Sequence, residues 1–142
     1  MSGLVPFEYA VLRVVPRVER GEAINAGVLV YCRDRNFLGA RVGLDAARLR
    51  ALDPAADVEA VRAALDAAAD TCGTGGPGPA AAEQIGRRFR WLTAPRSTVV
   101  QPGPVHTGLT ADPAAELDRL LDLLVAPPGP PAPTPNGPRP RR

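Results

Sequence analysis

The sequence predicts an α+β fold: an N-terminal three-stranded antiparallel meander, extended by one or two short strands and packed with about three helices. Three observations predict it. Residues 8–42 hold three runs rich in β-branched and aromatic residues, separated by two short polar breaks. Beyond them the apolar spacing changes from two to three and four, as a helix requires. Asp53-Pro54 and Asp112-Pro113 stand ahead of two such stretches, each pairing an N-cap acceptor with a proline suited to the first helical position.

The first strand is read over 8–16, with Tyr9, Val11, Arg13 and Val15 on one face and Ala10, Leu12 and Val14 on the other. Both faces are largely apolar, which fits a strand covered on both sides. Pro16 ends it because proline cannot donate to a ladder. Residues 17–21 close on glycine as a hairpin turn. The second strand is read over 22–33, with Ile24, Ala26, Val28, Val30 and Cys32 opposed to Asn25, Gly27, Leu29 and Tyr31. Asp34, Arg35 and Asn36 make a tight turn into a third strand over 37–42.

A helical turn is expected at 46–52, then a helix opened by Asp53-Pro54 and running to about Ala69, with Val58, Val61, Leu65 and Ala68 inward. The glycine- and proline-rich stretch 71–79 breaks the chain as a mobile loop. A helix over 80–92 turns Ile85, Phe89 and Leu92 inward, with Trp91 as its cap. Short strands are expected at 97–101 and 105–109, separated by Pro102-Gly103-Pro104. The last helix runs from Asp112-Pro113 to about Val125 on a stripe of Leu117, Leu120, Leu121 and Leu124.

These elements make a single α+β domain over 1–126. Residues 127–142 hold eight prolines, two glycines, three arginines and no acid. They have almost nothing apolar to set against the entropy of ordering, so they read as a disordered solubilising tail. Removing its three arginines from the formal charge of +2 leaves the body at −1, which lacks the global basic footprint of a nucleic-acid binder. Every basic residue that carries formal charge is arginine, a bias typical of a GC-rich genome. Cys32 and Cys72 are too far apart in sequence for a short metal-ligand spacing, and Cys32 reads as a small buried apolar residue. No apolar run spans a membrane and no leader-like segment is read at the N-terminus, so the chain reads as a soluble cytoplasmic protein without membrane contact.

Two constellations bear on function. In the first, the hairpin brings Arg13 opposite Asn25, with Glu22 near its mouth. An arginine in an apolar strand face needs a partner. Either Asn25 or an acid satisfies it and fixes the register, or the guanidinium is presented to a carboxylate or phosphate, for which its planar fork is suited. In the second, Arg87, Arg88, Arg90 and Arg96 interleave with Phe89 and Trp91, and Ser97, Thr98 and His106 follow, with no acid between Glu83 and Asp112. Arginines beside aromatics can hold single-stranded nucleic acid. The competing and stronger reading makes Phe89 core and the arginines a solvated face. His106 is the one histidine, and no nucleophile elbow, phosphate loop, dinucleotide fingerprint or metal-ligand cluster accompanies it. No catalytic residue, metal or cofactor is assigned.

The pattern Tyr9, Arg13, Pro16, then Gly21, Glu22, Asn25, Gly27 and Val28, with Phe89 and Leu92 in a later helix, resembles the bacterial family catalogued as domain of unknown function 3037 (DUF3037). The likeness runs from about Tyr9 to Leu124 and leaves the proline-rich tail outside. It implies an actinobacterial setting and association with a kinase similar to the HipA toxins; it carries over no catalytic residue. The expected function is a non-catalytic protein-interaction or regulatory module, an accessory partner of a HipA-like kinase. The alternatives are a nucleic-acid-binding protein using residues 87–96 and an unrecognised hydrolase or phosphotransfer enzyme around Arg13, Glu22 and His106.

Overall fold

The computed structural model describes residues 3–73 and 79–129. Within them the meander forms from β1 (Val5–Val14), β2 (Ile24–Cys32) and β3 (Phe37–Val42). Both hairpins are antiparallel, and the sheet order is β3-β2-β1, so β2 is flanked on both sides. The second turn is one 3-10 turn, Arg33–Arg35, closed by Asn36 in the left-handed region at φ 49°, a conformation asparagine tolerates better than most side chains.

Strict alternation fails at one place in β2. Leu12 pairs with Gly27 but Arg13 pairs with Asn25, so Ala26 is an extra residue, a β-bulge. Ile24 and Ala26 therefore join Leu29 and Tyr31 in one core cluster, while Val28, Val30 and Cys32 join the other. The expectation that Ile24 and Ala26 share a face with Val28, Val30 and Cys32 is corrected on that ground.

The two short strands, β4 (Val100–Pro102) and β5 (His106–Thr110), both pair antiparallel with β1 and lie end to end along its outer side. Pro102-Gly103-Pro104 is thus an interruption in one edge and not a hairpin between two neighbours.

Four helices cover the sheet. α1 (Ala46–Leu52), α2 (Val58–Cys72) and α3 (Pro79–Leu92) cover one face, with Leu49, Leu65 and Phe89 at the centre of the larger core. α4 (Pro113–Leu120) covers the other, where Leu117 and Leu120 meet Phe7, Val28, Val30 and Cys32. Asp112 caps α4 as expected, accepting from the N–H groups of Ala114 and Ala115. That helix then passes into a π-helical turn, Leu121–Val125, instead of continuing as α-helix.

The start of α2 differs from the sequence expectation. Asp53 closes α1, its N–H donating to Leu49 O, and its carboxylate accepts from Ala55 N in a local turn. The cap of α2 is Asp57, extended at φ −82° and ψ 92°, whose carboxylate accepts from Ala60 N. Both aspartates can cap; burial of Val58 and Val61 selects the second. Trp91, expected as a helix cap, is instead 61 % exposed at the end of α3. The expected mobile loop at 71–79 falls partly on residues 74–78, and most of the expected tail on 130–142; both lie outside the described residues.

Truncation in either layer should be costly. Leu65→Ala under α2 and Leu117→Ala under α4 each leave a cavity among fully buried neighbours, and each should lower the unfolding free energy by about 2–5 kcal/mol. Urea titrations of the two variants check this; a loss well under about 1 kcal/mol at Leu117 would show that α4 is not packed on the sheet.

Candidate functional site

Directly opposed residues in an antiparallel ladder share a face. Arg13 is opposed by Asn25 on β2 and by Gln101 on β4, and Tyr9 by His106 on β5. All of them therefore lie on the side that carries α4. That helix sits over β2 and β3 and leaves this part of β1 and the edge strands open. Tyr9 and Val11 are half-buried, Arg13 and His106 exposed.

Each member of this open row is held differently. Asn25 Nδ2 donates to the carbonyl of Leu124 in the π-helical turn at 2.9 Å, so the amide ties β2 to the end of α4 and does not serve Arg13. The Tyr9 ring stands between Phe7 and His106, with centroids 5.7 and 5.3 Å away. Arg13 lies across Gly103, where an added Cβ would come within 3.2 Å of the guanidinium carbon. Gly103 is itself drawn in by its N–H, which donates to Val11 O at 2.7 Å. A glycine here lets the guanidinium lie flat against the edge. Arg13 forms no ion pair with a described acid, and the residue is exposed.

Glu22 does not join the row. It forms an ion pair with Arg20 across the hairpin turn, and that hydrogen bond, with the charge of the carboxylate, raises the Arg20 pKa. Of the four residues expected from the hairpin motif, the structure brings together Tyr9, Arg13 and Asn25 and leaves Glu22 in the turn. Sequence reasoning missed Gln101 and Gly103. The proline on either side of Gly103 was the available signal, since a glycine so flanked marks a fixed, close approach.

The arginine segment is more occupied than expected. Arg90 grips Glu8 of β1 through one Nη, at 2.8 and 2.9 Å to the two carboxylate oxygens. Arg96 donates to Trp91 O and lies over the indole, 4.7 Å from its centroid. Arg87 is exposed and Arg88 half-buried. Beside Trp91, a groove of about 460 Å³ runs between α2 and the segment before β4, floored by Ala64, Ala67 and Ala68.

Thr98 donates its hydroxyl to Val100 O, and no hydrogen bond joins His106 to a hydroxyl or an acid among the described residues. Among those residues, too, no three of His, Cys, Asp and Glu converge as a metal site, and no helix is long and apolar enough to cross a membrane. Both cysteines are buried thiols. Burial pushes the Cys72 thiol up to about 11 against the opposing charge of Arg88, so it is poorly suited to act as a nucleophile.

The family model described as protein of unknown function (DUF3037) matches residues 9–125, most of the chain, and the chain belongs to that family. No curated protein and no solved structure matches it.

Two measurements probe these contacts. Asn25→Ala removes the donor to Leu124 and should cost about 1 kcal/mol. Asn25→Asp sets a carboxyl against that carbonyl, so the folded state favours its protonated form; stability should fall further as pH rises above about 4, as thermal melts across the acid range would show. For Cys72, whose thiol is raised in the folded state, the unfolded chain ionises first. The stability it contributes should be intact below about pH 9 and decline as pH climbs toward 11, a loss absent from Cys72→Ala.

Proposed function

We propose, taking membership of this family as the premise, that the chain is a non-catalytic protein-interaction module. Its contact surface is the open row of Tyr9, Arg13 and Asn25 beside α4. The observation that supports this most directly is Arg13: a guanidinium laid against Gly103, exposed, with no ion pair to a described acid. Holding a charged fork flat on a glycine lowers the entropy lost when it meets a carboxylate or phosphate of a partner. The half-buried Tyr9 and Val11 beside it supply the apolar part such a contact needs. The partner class suggested by the family's association is a HipA-like kinase, with this chain as its accessory or regulatory subunit.

The nucleic-acid reading has less support. Arg90 and Arg96 are engaged within the chain, which leaves Arg87 as the exposed arginine one helical turn ahead of the exposed Trp91. A pairing with Glu8 is not prohibitive, since partly exposed ion pairs contribute on the order of 1 kcal/mol or less. It does mean that a phosphate would have to displace a bound carboxylate.

Mixing the purified chain with the HipA-like kinase of its own host, followed by size-exclusion chromatography at high salt, tests the proposal. A retained complex is expected. Arg13→Glu should weaken it by at least about tenfold, a loss of roughly 1.4 kcal/mol, without lowering the melting temperature of the free chain. No complex, or a complex indifferent to Arg13→Glu, would sink the assignment. Binding of single-stranded nucleic acid that falls steeply with salt and is lost in an Arg87/Arg88/Arg90 triple alanine variant would favour the other reading.

A further inference from the structure

The outer edge of β5 has a property that the open row does not use. Val15 N–H donates to Val99 O, and Gly103 N–H to Val11 O, so odd-numbered residues of β1 aim their backbone groups at the edge strand. Even-numbered ones face β2; Pro6, which has no N–H to give, turns its carbonyl that way and accepts from Cys32 Sγ. Opposite Phe7 and Tyr9 stand Gly108 and His106, whose backbone groups therefore point inward. By the two-residue period, Thr107 and Leu109 present both N–H and C=O outward. No described strand pairs with that edge.

We propose that β5 pairs antiparallel with β5 of a second copy of this chain, about a twofold axis through Gly108. In that register Thr107 of one copy faces Leu109 of the other, and each pair exchanges two backbone hydrogen bonds, giving four. Gly108 suits the axis. Its missing side chain leaves room for the ring of Phe7, which an added Cβ would meet at 2.7 Å, and keeps the centre of the junction free of bulk.

Charge selects a copy of the chain over a charged peptide. From Gln101 to Ala111 there is no charged side chain, so the two edges meet without the like-charge opposition that a twofold axis otherwise imposes. Of the usual guards of an edge that stays single, lysine, inward charge and proline within the strand are absent from β5, which leaves only its shortness, five residues. Leu109 is 63 % exposed on this edge, with Leu4 and Val105 also exposed nearby. Four backbone hydrogen bonds between two five-residue strands make a small junction beside the roughly 1,600 Å² of a standard stable interface. The dimer is therefore reversible and dissociates on dilution. It does not depend on the kinase reading, because Arg13 contributes nothing to this ladder.

Sedimentation velocity of the full chain from micromolar to millimolar concentration tests it. A monomer that moves toward twice its mass is expected. Thr107→Pro deletes an outward N–H without touching the pairing to β1, and Leu109→Lys places two like charges beside the axis. Each should abolish the mass increase with the melting temperature unchanged. If Thr107→Pro fails to fold, Leu109→Lys decides. A monomer throughout the range, or a dimer that survives Leu109→Lys, overturns the proposal.

Discussion

The structure depends on burying β2 on both faces. Every residue of that strand except Asn25 is buried, so the helices must form two layers, one on each side. A strict alternation would have sent Ile24 and Ala26 toward α4. The bulge at Ala26 moves them to the α1–α3 side, where Leu12 and Val14 wait, and lets Asn25 face the end of α4. One inserted residue thus decides both the composition of the larger core and the anchoring of the last helix. The tie from Asn25 also gives the carbonyl of Leu124, one of the last in the π-helical turn, a partner on the sheet.

The charged residues follow from the same arrangement. Some pair locally and with solvent around them: Arg20 with Glu22, Arg62 with Glu59, Arg119 with Glu116. Pairs of this kind add little to stability. Glu8–Arg90, like Arg41–Asp118 and Arg17–Asp53, instead joins parts distant in sequence, here β1 to α3. Arg13, like Arg33, Arg48 and Arg50, forms no ion pair with a described acid. Its own distinction is its place on the open side of β1, with Gly103 beside the guanidinium.

Much of the meander was legible because its signals are local. Pro16 and Gly21 bound the first turn, and that alone places Arg13 opposite Asn25, the register found. The bulge was not legible, since a period of two cannot show where it breaks. Asp53 and Asp57 are equally good caps in sequence, and only the packing of Val58 and Val61 distinguishes them. The edge strands were found but not their arrangement: β4 and β5 share β1 as a partner nearly a hundred residues away, and nothing between Gln101 and His106 announces it. In the site, Tyr9, Arg13 and Asn25 carry a motif, whereas Gln101 and Gly103 enter through that same long-range pairing. Glu22 belongs to the motif yet serves the turn, which shows that neighbours in a pattern need not be neighbours in a site.

α4 is too short to cover a five-stranded sheet. With eight α-helical residues and one further π-helical turn, it shields β2, β3 and Phe7 and leaves the stretch of β1 from Tyr9 to Arg13, with its edge strands, facing water. The residues there are a compromise: half-buried Tyr9 and Val11, an exposed arginine and histidine, and an edge without charges. A face of that composition tolerates solvent but has unused apolar area and unused hydrogen-bonding groups in two different directions. Across the face, the available partner is a guanidinium; along the edge, it is a backbone ladder. The two proposed contacts therefore draw on different atoms: the guanidinium across the face suits an acidic or phosphorylated surface, and the ladder along the edge suits β5 of a second copy.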